Sequence, residues 1–185
     1  MGKIDKFMDY YFFLSNFYLH TIEYPYPNSK GGPWLTSPNK KWYRSVEHAY
    51  QAFKADNEAE HEYIRNLDTS GKAKRAGKNV SMRKDWESIK YDLMLDLLRV
   101  KFDDIKLANK LIDTGDDILI EGNYWHDNLW GDCTCEKCKD IVGKNWLGEQ
   151  LMIVRSEVKK ARIEIEKGWD ELKDWENIHF KGFEE

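Results

Sequence analysis

Apolar residues recur at helical intervals along most of this chain and alternate as in a strand along little of it. Trp86, Ile89, Leu93, Leu97 and Val100 repeat every three or four positions. That spacing predicts a helix over 85–102, capped by Asp85 and burying one stripe. Leu107, Ala108, Leu111 and Ile112 predict another over 105–114, closed by Gly115. Ser45 suits the N-cap of a helix over 46–56, with Glu47 in the first turn, where a carboxylate meets the positive end of the helix dipole. Shorter helices are expected over 58–67 and, behind Ser70, over 71–77. Leu147, Leu151, Val154 and Val158 mark a long helix from about 145 to 167. Gly168 is expected to stop it. Trp169, Leu172 and Trp175, at three-residue steps, predict a final amphipathic helix packing on the domain.

Strand signals are short. Residues 19–24 and 34–36 flank a turn-rich stretch, Asn28-Ser29-Lys30-Gly31-Gly32-Pro33, and suggest a small hairpin-like sheet. Ile118-Leu119-Ile120-Glu121-Gly122 reads as one more strand, followed by a long polar loop to about residue 144. The expected fold is α+β: a predominantly helical single domain over 1–167 with small β elements, and a C-terminal helical extension over 168–185.

Composition narrows the classes. Among 185 residues, 41% are hydrophobic and 14% aromatic, with eight Trp, which excludes a disordered chain. No apolar run approaches the roughly 20 residues that span a bilayer. The N-terminal stretch lacks the apolar core of a signal peptide, so a cytoplasmic location is expected. With 29 basic against 33 acidic residues, the net charge of -4 argues against a dedicated duplex-DNA binder but leaves room for a patch that holds one or two phosphates. Lys72, Lys74, Arg75, Lys78, Arg83 and Lys84 occur between positions 69 and 84 without an acid. They form either a field that steers a phosphorylated ligand or a plain solvated face.

Three segments could carry chemistry. On a helix, Glu47, Tyr50 or Gln51, and Lys54 share one face, lining up a carboxylate, a hydrogen-bonding side chain and an amine, while Val46, Ala49 and Phe53 meet the core. An ordinary solvated face has the same spacing. Trp125-His126-Asp127-Asn128-Leu129-Trp130-Gly131-Asp132 puts two indoles beside carboxylates, a set that can sandwich a planar base while an acid moves a proton; the indoles could equally anchor the loop. Gly143-Lys144-Asn145-Trp146-Leu147-Gly148 opens a helix whose first N–H groups suit an anion.

Taken together, these motifs resemble the NADAR or YbiA-like N-glycosidases. The resembling segments are Phe13-Leu14-Ser15-Asn16-Phe17, the run from Val46 to Lys54, Leu93-Met94 through Arg99-Val100-Lys101-Phe102, Asp127 with Trp130-Gly131, and Gly143-Lys144-Asn145-Trp146-Leu147-Gly148 followed by Leu151-Met152 and Arg155. They occur in the family's order across roughly residues 10–160. The resemblance implies cleavage of a C–N bond between a ribose anomeric carbon and a base. The substrate would be either a phosphorylated pyrimidine intermediate of riboflavin synthesis or ADP-ribose on guanine in nucleic acid. It implies no cofactor for catalysis. Glu47 is then the acid/base and Asp127 a second acid/base or ribose ligand. Trp130 would stack the base, and Lys54 would act either electrostatically or as a Schiff-base nucleophile. Asn16, Tyr50, Gln51, Arg99, Lys101, Gly131 and Asn145 are candidate substrate contacts. A binding module without catalysis that keeps the nucleotide cleft is the alternative, and an interaction role for the Trp169 to Trp175 helix is a third.

The chain departs from the family pattern after Gly131, where Cys133, Cys135 and Cys138 form Cys-x-Cys-x-x-Cys near His126. Three clustered cysteines cannot staple a fold. With the imidazole they make up a possible structural zinc set; reduced, unligated thiols are the competing reading.

Overall fold

The structure, a computed structural model, describes residues 2–26 and 39–180, of which 171 and 173–180 are described in backbone only. At its centre is a seven-residue helix, α1 (Val46–Ala52), with every residue buried. Ser45 caps it, its Oγ accepting the His48 N–H. Burial on all sides forces the polar side chains to find partners inside. The His48 imidazole lies 2.8 Å from Ser45 Oγ and 3.1 Å from the Leu67 carbonyl, and Ser70 Oγ donates to the Phe17 carbonyl.

The helical spacing continues beyond α1, but the helix ends at Ala52. Ala55 forms a β-bridge with Met82, the Arg83 N–H donates to the Lys54 carbonyl and the Asp56 N–H to that of Ser81. Helices α2 (Glu58–Arg65), α3 (Ser70–Ala76) and α4 (Trp86–Lys101) pack around α1. Thr69, not Ser70, caps α3, because Ser70 is turned inward to bond Phe17 and Ser45. Helix α5 (Ile105–Ile112) is capped by Asp104 and followed by Gly115 at φ +62, a left-handed turn that glycine enters without strain.

The strands act as clips: β1 (Lys3–Ile4), β2 (Ile22–Pro25), β3 (Lys40–Tyr43), β4 (Ile118–Leu119), β5 (Gly122–Asn123) and β6 (Asp132–Cys133). Strands β2 and β3 pair antiparallel with Ile22 opposite Tyr43, while β1–β4 and β5–β6 pair parallel. The turn expected at 28–33 and the strand at 34–36 lie outside the described residues; the partner of β2 is β3. Leu14, Phe53, Leu98, Leu111, Leu119 and Leu151 belong to a single core. The architecture is thus α+β and mainly helical.

Helix α6 (Trp146–Phe180) packs on α4, α5 and β4 through its first turns and then runs on through Gly168. One glycine costs a helix about 1 kcal/mol, which the charged helix formers before it offset. The expected stop is therefore absent. The expected packing of the extension is also not found where side chains are described, since Trp169 is 61% and Leu172 56% exposed. Among the described residues, no helix is long and apolar enough to cross a membrane.

Replacing Ser45 with Ala removes the α1 cap and strips buried His48 of a partner. A loss of about 2 kcal/mol, or a drop of roughly 4–8 °C in Tm, is expected in thermal unfolding. An unchanged Tm would show that the cap does not hold α1.

Candidate active site

One side of α1 opens onto a cleft of about 230 Å³. Glu47, Tyr50 and Gln51 reach it from α1, and Lys54 from the turn that ends the helix. Asn16 reaches it from the N-terminal segment, and Asp127 and Trp130 from the loop after β5. Seven of the residues singled out from the sequence therefore meet in one place. The segment carrying Asn16 is tied directly to α1, since the Glu47 N–H donates to the Asn16 carbonyl at 3.0 Å.

The charges do not balance as they would in water. Glu47 is 5% exposed, and its carboxyl accepts one hydrogen bond, from Gln51 Nε2 at 2.8 Å. Burial pushes its pKa above the ordinary carboxylate range, against the pull of Lys74, the Gln51 bond and Lys54; Asp127 adds to the rise. Lys54 moves the other way. Burial lowers its pKa, Glu47 opposes this, and Lys74, Lys78 and Lys90 reinforce it. Both groups thus shift toward their neutral forms. Glu121, also on the cleft wall, is pushed up to about 7, chiefly by burial. Two buried amide oxygens of cleft-lining residues, Asn16 Oδ1 and Gln51 Oε1, have no hydrogen-bond partner among the described residues. An orphaned acceptor such as that of Asn16, in a cleft wall, suits a ligand hydroxyl or N–H.

Aromatic rings form the other wall. Tyr50 meets Trp86 at 4.9 Å and Trp130 at 5.4 Å, both edge to face, and Trp130 meets Trp146 at 5.5 Å. Trp130 is thereby held on two sides. Trp125, 58% exposed at the cleft, lies with its ring 5.6 Å from Lys74 Nζ. The loop is set from within. Asn123 is buried, accepts the N–H groups of Trp125 and Asp127, and donates to the Asp127 carbonyl; Asp127 Oδ1 accepts those of Leu129 and Trp130.

Four residues expected to touch substrate stand elsewhere. Arg99 is on the outside, paired with Asp96 and, through two bonds, with Glu157 of α6. Lys101 is 1% exposed and donates to the Ser15 carbonyl at 2.9 Å, its pKa lowered to about 7 by burial. Gly131 is a packing residue, because a Cβ there would run into the Glu121 carbonyl oxygen. Asn145, at φ +51, accepts the Glu121 N–H and donates to the Leu119 carbonyl. The anion site expected at the start of α6 is not available there: the Trp146 and Leu147 N–H groups bond the Leu129 and Trp130 carbonyls.

Sequence reasoning missed Glu121, Lys90 and Asn123 in the cleft. Glu121 sits just past a two-residue strand and Lys90 on the polar face of α4, positions with no local signature. Of the basic run at 72–84, Lys74 alone lines the cleft; Lys72 pairs with Asp68 and Arg83 with Asp85.

Beside the cleft, one nitrogen of His126 and the sulfurs of Cys133, Cys135 and Cys138 lie within 4.8 Å of one another, a set able to hold a metal ion. The three thiols are free of disulfides.

Comparison with known proteins places the chain in a family. The model of the NADAR domain family matches residues 5–159. N-glycosidase YbiA of Escherichia coli (strain K12) is 34% identical over 146 residues, covering 77% of this chain and 87% of that protein. The riboflavin biosynthesis protein PYRR, chloroplastic, of Zea mays is 31% identical over 166 residues; the match covers 83% of this chain but only 24% of that much longer protein. The NMR structure of E. coli YbiA superposes with a TM-score of 0.69 at 30% identity, covering 88% of each chain. The chain belongs to the NADAR domain family, a family of N-glycosidases.

Proposed function

We propose that this protein hydrolyses the N-glycosidic bond of a ribosylated pyrimidine carrying a phosphate, a compound of the kind made in riboflavin synthesis. The single observation that carries this reading is the buried carboxyl of Glu47, poised to be protonated, in the same cleft as Asp127 and Lys54. The cleft offers room for a ribosyl base, with Lys74 and Lys90 on its wall for the phosphate. Relatives named for riboflavin biosynthesis in Zea mays and Vibrio vulnificus, of which this chain spans 24% and 36%, point the same way.

In the proposed reaction Glu47 donates its proton to the nitrogen that departs with the base as the C1′–N bond breaks. Asp127 takes a proton from the water whose oxygen bonds to C1′, so base and free sugar leave with Glu47 ionised and Asp127 protonated, and passage of that one proton from Asp127 to Glu47 through water resets both. Asn16 Oδ1 accepts a ribose hydroxyl or a base N–H. Trp125, at the mouth, supplies a stacking face. Lys54 offers a second route: as a neutral amine it displaces the base from the opened sugar as an imine, which water then cleaves to return the amine. Its lowered pKa favours this route, and borohydride trapping of a sugar adduct on Lys54 distinguishes the two.

A second reading, removal of ADP-ribose from guanine in nucleic acid, is favoured by the exposed Trp125 and the neighbouring Lys74 at the mouth, where a longer substrate could continue. Parallel incubation with ribosylaminouracil phosphate and with ADP-ribosylated DNA separates the two readings by which free base or restored DNA appears. Release from neither would leave a binding module. No cofactor enters these steps; the His/Cys cluster outside the cleft is read as a structural zinc site.

Two outcomes are expected. Glu47→Gln keeps its Tm and loses at least about a hundredfold in kcat, read as base release; near-parent turnover would end the proposal. In the parent, kcat/KM falls as pH rises through the raised pKa of Glu47, because the active form is the protonated one. That limb disappears in the glutamine variant. A rate that rises through the same range in the parent would contradict the acid role.

A further inference from the structure

The cysteine-bearing insertion has geometry that free thiols do not explain. His126 Nδ1 lies 3.2 Å from Cys135 Sγ and 3.3 Å from Cys138 Sγ. A single imidazole nitrogen offers either one lone pair or one N–H, so it can satisfy one thiol but not two. The third sulfur, of Cys133, belongs to the same cluster and accepts the His126 backbone N–H at 3.3 Å. A cation at the centre satisfies all four atoms at once. With bonds of about 2.3 Å to sulfur and 2.0–2.1 Å to nitrogen, a tetrahedral zinc site has nitrogen–sulfur edges of about 3.6 Å, within a few tenths of the two spacings from His126, and all four ligand atoms lie within 4.8 Å of one another. Three soft sulfurs and an imidazole favour zinc over magnesium or calcium. Four protein ligands close the coordination sphere, which is the structural form of the site and not the hydrolytic one.

The ligand His126 immediately precedes Asp127. It adopts φ +68, a left-handed conformation that strains a residue with a β-carbon and needs its surroundings to hold it. Asn128, on the other side of Asp127, is also tied to the cluster. Its Nδ2 donates to Cys138 Sγ at 3.3 Å and its Oδ1 accepts the Cys133 N–H at 2.9 Å. Its carbonyl accepts the Lys144 N–H, and Asp132 Oδ1 that of Gly143, so the same knuckle links the cleft loop to the entry of α6.

We infer that His126, Cys133, Cys135 and Cys138 bind one zinc ion that clasps the Asp127 loop onto the cleft, making His126 and Asn128 positioning residues for Asp127. The metal site stands on its own geometry; its effect on turnover rests on the role proposed above for Asp127.

Elemental analysis of the full chain, purified without chelator, is expected to give about one zinc per chain. Cobalt exchanged into the parent protein is expected to show the d–d bands of a tetrahedral site together with thiolate-to-cobalt charge transfer. Metal-free protein with three thiols open to Ellman's reagent and no cobalt uptake would overturn the site. For the clasp, zinc is withdrawn by chelation while amide exchange and kinetics are followed. Faster exchange over 123–134, unchanged exchange in α1, and a kcat about 10–100-fold lower that zinc restores are expected. Unaltered loop exchange, or loosening of α1 to the same extent, would overturn the clasp. Because zinc content and exchange are read without substrate, a protein that holds zinc, is clasped by it and releases no base would sink the proposed activity and leave this inference standing.

Discussion

A carboxyl group is buried in the first turn of a helix that is itself wholly buried, and the cleft is arranged around that fact. Charging Glu47 in such surroundings is costly, and one hydrogen bond from Gln51 does not compensate for the water it has lost. The cleft also contains Asp127, Glu121, Lys54, Lys74 and Lys90. Burial moves Glu47, Glu121 and Lys54 away from the ionisation they would have in water. The acid Glu47 is held toward its protonated form and Lys54 toward its neutral one, the proton and lone pair on which the proposed cleavage draws.

Keeping α1 in place is the work of short, specific contacts and not of an extended sheet. Ser45, His48 and Ser70 satisfy its polar groups from inside, while α2, α3 and α4 close around it. Residues that do not touch the cleft set the ones that do. Lys101 fixes the Ser15 carbonyl next to Asn16, and Asn145 and Gly131 fix the backbone of Glu121. Arg99 bolts α4 to α6. The motif residues thus divide into some that face the cleft and others that support it.

Much of this was legible in the chain. The stripe from Trp86 to Val100 and the stripe from Leu147 to Val158 are long enough for periodicity to mark them, and Ser45 with Glu47 announced α1. The spacing of Glu47, Tyr50, Gln51 and Lys54 on one face carried through to one cleft even though the helix ends before Lys54. What could not be read depends on distant partners. Two-residue strands such as β4 and β5 have no period to detect, and Glu121 acquires its raised pKa only through burial beside groups far away in sequence. Lys101 and Arg99 lie two positions apart on α4, and only the fold makes one buried and the other exposed. Gly168 looked like a stop but a single glycine lacks the strength to end a helix whose neighbours favour it.

The central claim is that Glu47 holds a proton that an ordinary glutamate would have lost. Its carboxyl carbon can be titrated directly by 13C NMR in the free protein, with the Glu47→Gln variant assigning the signal. A midpoint clearly above the usual glutamate range is expected; a midpoint at or below that range would contradict the account.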